Sequence, residues 1–218
     1  MGSAARHSLL PRGIKKMSGS TFVTIPTQRG EAPQEETRDY YFAYGSNMNL
    51  EQIRSRCGRP VVVSVARLPE HRLSFYGYAE TWDGAMETVE PAPGSEVWGV
   101  IFRLSRLDWE RLDEWQGARL DGAGMYFHFP ATVMDLEGCE HNVRLYRKDV
   151  QGEPRNPSRE YLEHIVRGAA ENGLPPRYVA ELLNRKATQA SYKVPLRPNS
   201  DLAKYAGISC AECPSGAA

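Results

Sequence analysis

The sequence predicts an α+β fold, with strands early and helices late. Two observations carry this reading. Short aromatic or β-branched runs, bounded by Gly, Pro and polar residues, dominate the first two thirds of the chain; capped helical patterns dominate the last third. That order argues against a doubly wound sheet, in which strands and helices alternate. No internal repeat is found.

The folded part begins near Asp39. Tyr40-Tyr41-Phe42-Ala43-Tyr44 is a short aromatic strand that ends at Gly45. Asn49 then caps a helix, with Gln52 three residues on completing a capping box. Further strands are expected at Val61–Leu68, Leu73–Tyr78, Glu96–Leu104, Met125–Asp135 and Asn142–Tyr146. Ser105 caps a helix through Trp109, Leu112 and Trp115 that Gly117 stops. Ser158 caps another, which buries Tyr161, Leu162, Ile165, Val166 and Ala169 and stops near Gly173. Pro175-Pro176 opens the last helix, through Leu182-Leu183. The domain plan is a disordered or tag-derived tail over 1–38, one domain over 39–185, and a C-terminal extension over 186–218.

Composition narrows the function. The 218 residues are 41% hydrophobic, enough for one proper core, and Lys+Arg and Asp+Glu are both 27. A balanced charge gives no electrostatic reason to expect nucleic acid or an anionic membrane as partner. No apolar run approaches a membrane span, and no signal-peptide pattern opens the chain. Cys57, Cys139, Cys210 and Cys213 do not form a disulfide framework, so a cytoplasmic location is expected. Cys210-Ala-Glu-Cys213 lacks the second pair or the histidines that a zinc site needs. No metal and no cofactor is expected.

The segment Tyr44-Gly45-Ser46-Asn47 supports two readings. As a strand–Gly–helix junction, it can aim backbone N–H groups and a helix N-terminus at an anion, with Ser46 and Asn47 adding short polar side chains. It is equally ordinary turn-and-cap chemistry.

The wider pattern resembles the γ-glutamylcyclotransferases. Phe42-Ala43-Tyr44-Gly45-Ser46-Asn47 followed by a helix is similar to the family's opening motif. Ser64-Val65-Ala66-Arg67-Leu68, Glu96-Val97-Trp98-Gly99-Val100, and Gly168-Ala169-Ala170-Glu171-Asn172-Gly173-Leu174-Pro175 with Tyr178 agree in order. The likeness spans about Tyr41 to Leu183. It implies a small mixed β-barrel with flanking helices and a small γ-glutamyl substrate, with a homodimer left open. It also implies a reaction in which the substrate's α-amine attacks its own γ-carbonyl, releasing 5-oxoproline and a free amine. One carboxylate can serve that ring closure as base and then as acid.

In the family this carboxylate is a Glu before a Gly, at the end of the helix that follows the central strand. Here the matching position in Leu112-Asp113-Glu114-Trp115-Gln116-Gly117 is Gln116. An amide keeps the shape and loses the basicity. General acid–base catalysis is worth about 10²–10⁴ in rate, or about 3–5 kcal/mol. Four explanations stand: an introduced Glu-to-Gln change, an inactive binder, a substitute carboxylate, or a different reaction such as cyclisation or isomerisation of another metabolite. Loss or removal of the base is favoured over rescue. The alternatives for rescue are Asp121, in a loop (118–123) longer than the family's usual one, and Glu87. Asp113 would have to reach one turn further, and Glu114 points elsewhere by roughly 200°.

Gly124-Met125-Tyr126 resembles a family strand start whose Tyr lines the pocket, and Tyr146 and Tyr161 match two further family tyrosines. The resemblance thus assigns substrate binding to Tyr44, Gly45, Ser46, Asn47, Tyr126 and Tyr161, with Tyr146 equally readable as core. Glu87 lies in Ala85-Met86-Glu87-Thr88-Val89, like a family stretch that normally carries small residues. Its plainer reading is the polar side of a half-exposed strand. The tryptophans read as core, with Trp115 set apart because it neighbours position 116, and the histidines show no metal-ligand spacing.

Overall fold

A computed structural model describes residues 40–119, 124–149 and 152–195. The expectations for residues 1–38, Asp121, Cys210 and Cys213 lie outside the described residues. In chain order the elements are β1 (Tyr40–Ala43), a single 3₁₀ turn (Ser46–Met48), α1 (Leu50–Arg56), β2 (Val61–Ala79), β3 (Gly84–Arg103), α2 (Arg106–Gln116), β4 (Tyr126–Asp135), β5 (Glu140–Lys148), α3 (Arg159–Glu171) and α4 (Pro176–Leu183).

The five strands close into a barrel in the order β1-β3-β2-β4-β5. Every pairing is antiparallel except β1 with β5, which meet in parallel through Tyr41 and Arg144. This is the expected α+β fold: a mixed barrel with helices around it. Phe42, Val100, Phe102, Leu145, Ile165 and Leu182 are fully buried in one core. Each such side chain contributes about 1.5–3 kcal/mol by leaving water.

Two long strands replace what the sequence divides. The expected strands at Val61–Leu68 and Leu73–Tyr78 are one strand, β2, and the last expected strand before α2 extends back to Gly84 as β3. The breakers Pro69 and Glu70 do not end β2. They sit at a register shift between Pro69 and His71, where Glu70 takes φ 57°. A bulge absorbs the missing N–H of a proline and bends the ribbon without ending it.

The helix caps follow the sequence closely. Asn49 Oδ1 accepts the Gln52 N–H at 2.9 Å, but Gln52 does not return the bond; its side-chain amide donates to Asn47 Oδ1 at 3.2 Å. Ser105 and Asp108 form the full reciprocal box on α2, and Gly117 ends that helix with φ 57°. Asp108 also accepts the Gly58 N–H at 2.6 Å, tying the exit of α1 to the start of α2. Ser158 caps α3 through the Tyr161 N–H. Beyond α4 the chain returns over the barrel, where Thr188 bridges Ser158.

Candidate active site

The Gly45–Asn47 loop is held from three sides. β1 delivers it from the barrel. The capped α1 continues from it. α3 presses on its far side, where a Cβ on Gly168 would stand 2.5 Å from Asn49 N, so only glycine allows this approach. Asn172 completes the contact by donating to Met48 O at 2.8 Å. These contacts give the Gly168–Asn172 stretch a physical role: it fits α3 to the back of the loop.

Gly45 itself has φ −124° and ψ −143°, a conformation open to any residue. Its lack of a side chain serves space instead. A Cβ there would fall 1.9 Å from Glu87 Oε1 and 2.4 Å from its carboxyl carbon. Glu87 therefore lies directly over the loop. It is 5% exposed, which excludes the half-exposed strand reading. Its Oε1 accepts the Ser46 N–H at 3.3 Å, its Oε2 accepts the Tyr161 hydroxyl, and its backbone oxygen accepts the Tyr126 hydroxyl at 3.0 Å.

Asn47 and Gln116 meet at one cation. Arg56 Nη1 donates to Asn47 Oδ1 at 2.7 Å and lies 3.5 Å from Gln116 Oε1. Gln116, the last residue of α2, is 9% exposed. Arg56 is half-buried beside the exposed Trp115 ring, and among the described residues no carboxylate forms an ion pair with it. Burial pulls its pKa down, and Tyr161, Tyr41 and Glu87 push it back up. Sequence reasoning missed Arg56. At the C-terminus of a short helix, a basic residue reads as a dipole partner.

The tyrosines surround this pair of charges, with their hydroxyls held by protein groups. Tyr44 donates to the Tyr146 backbone oxygen. Tyr41 accepts from Asn47 Nδ2 at 2.9 Å. Burial, then the charge of Glu87, holds Tyr44, Tyr126 and Tyr161 well above the usual phenol range. None of the three ionises near neutrality. Tyr146 turns away and donates to Asp113 Oδ1 at 2.5 Å. His128 Nε2 meets the same oxygen at 2.6 Å, an Asp–His pair that the histidine spacing does not reveal. Asp113 is thereby engaged by His128 and Tyr146, and Glu114 is exposed. No group of three or more metal-ligating side chains occurs among the described residues, and none of their helices is long and apolar enough to cross a membrane.

Thus Ser46, Asn47, Gln116, Tyr126 and Tyr161 share one buried cluster, and Tyr44 is buried between the Phe42 ring and the Tyr146 backbone. A model of the AIG2-like family matches residues 96–182. The bovine γ-glutamylcyclotransferase is 39% identical over 65% of this chain and 76% of its own. The mouse protein of that name is 38% identical over 70% and 81%. The chain belongs to the γ-glutamylcyclotransferase family. A solved γ-glutamyl cyclotransferase superposes with a TM-score of 0.67 at 36% identity, covering 72% of this chain and 92% of the other. Membership makes the chain an enzyme of this family by descent, and the barrel–helix fold agrees with it.

Proposed function

We propose that this γ-glutamylcyclotransferase-family chain releases 5-oxoproline and a free amine from small γ-glutamyl amines at the Ser46–Asn47 loop. The observation that carries the reading is the convergence of Ser46, Asn47, Gln116, Tyr126 and Tyr161 around Arg56 and Glu87. A γ-glutamyl compound presents an ammonium and a carboxylate on one carbon, and this cluster presents a carboxylate and a guanidinium across one loop. Binding both groups fixes the α-amine relative to the γ-carbonyl, and ring closure is then intramolecular, where orientation alone can supply about 7–11 kcal/mol.

Incubation with γ-glutamyl-alanine and related dipeptides, with 5-oxoproline detected by mass spectrometry, tests the reading. Product from the wild type or from Gln116→Glu supports it; no product from either with any γ-glutamyl compound refutes it. The neutral amide of Gln116 favours a second reading, a site that binds without turnover. Calorimetric binding of glutamate-like ligands that cannot cyclise, with every turnover assay silent, would establish that alternative.

A further inference from the structure

We propose that the acid–base carboxylate of this chain is Glu87 on β3, in place of a carboxylate at position 116. The proposal rests on the cyclotransferase reading above.

The other described carboxylates near the loop are engaged or turned away. Asp113 is bound by His128 and Tyr146, and Glu114 faces solvent. Glu87 alone among them touches the loop, and it is held at three points: Ser46 N–H on Oε1, Tyr161 O–H on Oε2, and Tyr126 O–H on its backbone oxygen. A carboxylate held in this way is fixed in place against the loop, within reach of a substrate bound there. The tyrosines cannot replace it, because burial keeps their hydroxyls protonated.

The position of Arg56 explains why a glutamate serves better at 87 than at 116. The guanidinium is 3.5 Å from Gln116 Oε1. A carboxylate there would pair with Arg56 and neutralise the cation that suits the substrate's carboxylate. With an amide at 116, Arg56 keeps its charge for the substrate. The substrate's ammonium then falls toward Glu87, which accepts the Ser46 N–H.

The protons balance through this one group. The ammonium loses two protons in becoming the lactam N–H. The nitrogen–carbon bond of the ring forms and the γ-amide bond breaks. The leaving nitrogen gains two protons and departs as an ammonium. Glu87 accepts each proton from the attacking nitrogen and returns it to the leaving one, ending as the carboxylate it began as.

The test is steady-state 5-oxoproline release by wild type, Glu87→Gln and Gln116→Glu. Glu87→Gln keeps the size and the acceptor for Ser46 N–H and removes the basicity. Wild type is expected to turn over, and Glu87→Gln to lower kcat by about 10²–10⁴ at saturating substrate, whatever the change in KM. A Glu87→Gln protein that keeps more than about a tenth of wild-type kcat overturns the proposal. An inactive wild type with an active Gln116→Glu overturns it too, while leaving the cyclotransferase reading intact. Silence from both wild type and Gln116→Glu overturns that reading, and this proposal with it. If Glu87→Gln does not fold, Glu87→Asp keeps the charge and withdraws it by one methylene. Its kcat is expected to fall at least about tenfold, and a value within about threefold of wild type overturns the proposal.

Discussion

Replacing Gly45 by alanine isolates the contact between the loop and Glu87. The backbone at Gly45 has a negative φ, so alanine does not meet the left-handed penalty. The added Cβ would sit 1.9, 2.4 and 2.5 Å from Oε1, Cδ and Cγ of Glu87. The whole end of the side chain must move, and it is held by the Ser46 N–H and the Tyr161 hydroxyl. Overpacking of this kind costs about 1–3 kcal/mol. Losing hydrogen bonds to a charged group adds about 1.5–3 kcal/mol. We expect Gly45→Ala to destabilise the protein by about 3–5 kcal/mol in urea unfolding followed by circular dichroism. In a Glu87→Ala background the obstacle is gone, so the same change should cost under about 1 kcal/mol, giving a coupling of at least about 2 kcal/mol. Equal costs in the two backgrounds would refute the argument that glycine is there to make room for this carboxylate.

Arg56→Gln removes the cation between Asn47 and Gln116; KM for a γ-glutamyl substrate, or Kd for a non-cyclising analogue, should rise roughly 10- to 100-fold, the scale of a charge-assisted hydrogen bond, with Tm little changed. Burial, then Arg167 and Arg56, lowers the pKa of His164 to about 4, so the native state stays neutral while the unfolded chain titrates near 6.5. Stability should fall as pH drops from about 6.5 to 4, by at most about 3 kcal/mol, and His164→Gln should flatten that slope in urea melts across the range. Asp108→Ala removes the acceptor for Ser105 and Gly58 together and should cost about 2–3 kcal/mol, more than an ordinary cap; a loss below about 1 kcal/mol would show that the Gly58 bond contributes nothing.

Legibility from the sequence followed locality. Caps are chemistry within three or four residues, and Asn49, Ser105 and Ser158 all act where the pattern puts them. The strands were legible as runs, but their joining was not, because prolines and a positive-φ Glu70 read as breaks when they are bulges in a continuous ribbon. At the site, the loop motif and Gln116 could be found by family likeness. Glu87 could be named as a candidate but Arg56 could not, because their significance lies in each other: two groups 31 positions apart in sequence, one on the Ser46 N–H and one on the Asn47 side chain of the same loop. Burial of Glu87 was the missing fact, and period-two alternation hides it, since Glu87 and Thr88 are both buried.

The turn between β2 and β3 looks like a place where the chain could gain or lose a residue without harm. It is in fact fastened. Asp83 Oδ2 accepts the Ser191 N–H at 2.5 Å and its hydroxyl at 2.7 Å, and Tyr192 donates to Glu80 O at 2.6 Å. Side chains alternate between faces along a strand. A single residue inserted after Gly84 would therefore shift the parity of the following stretch and put Met86 where Glu87 stands. A relative that keeps a glutamate in this place is therefore expected to vary the hairpin in its turn before Gly84 and not between Gly84 and Glu87.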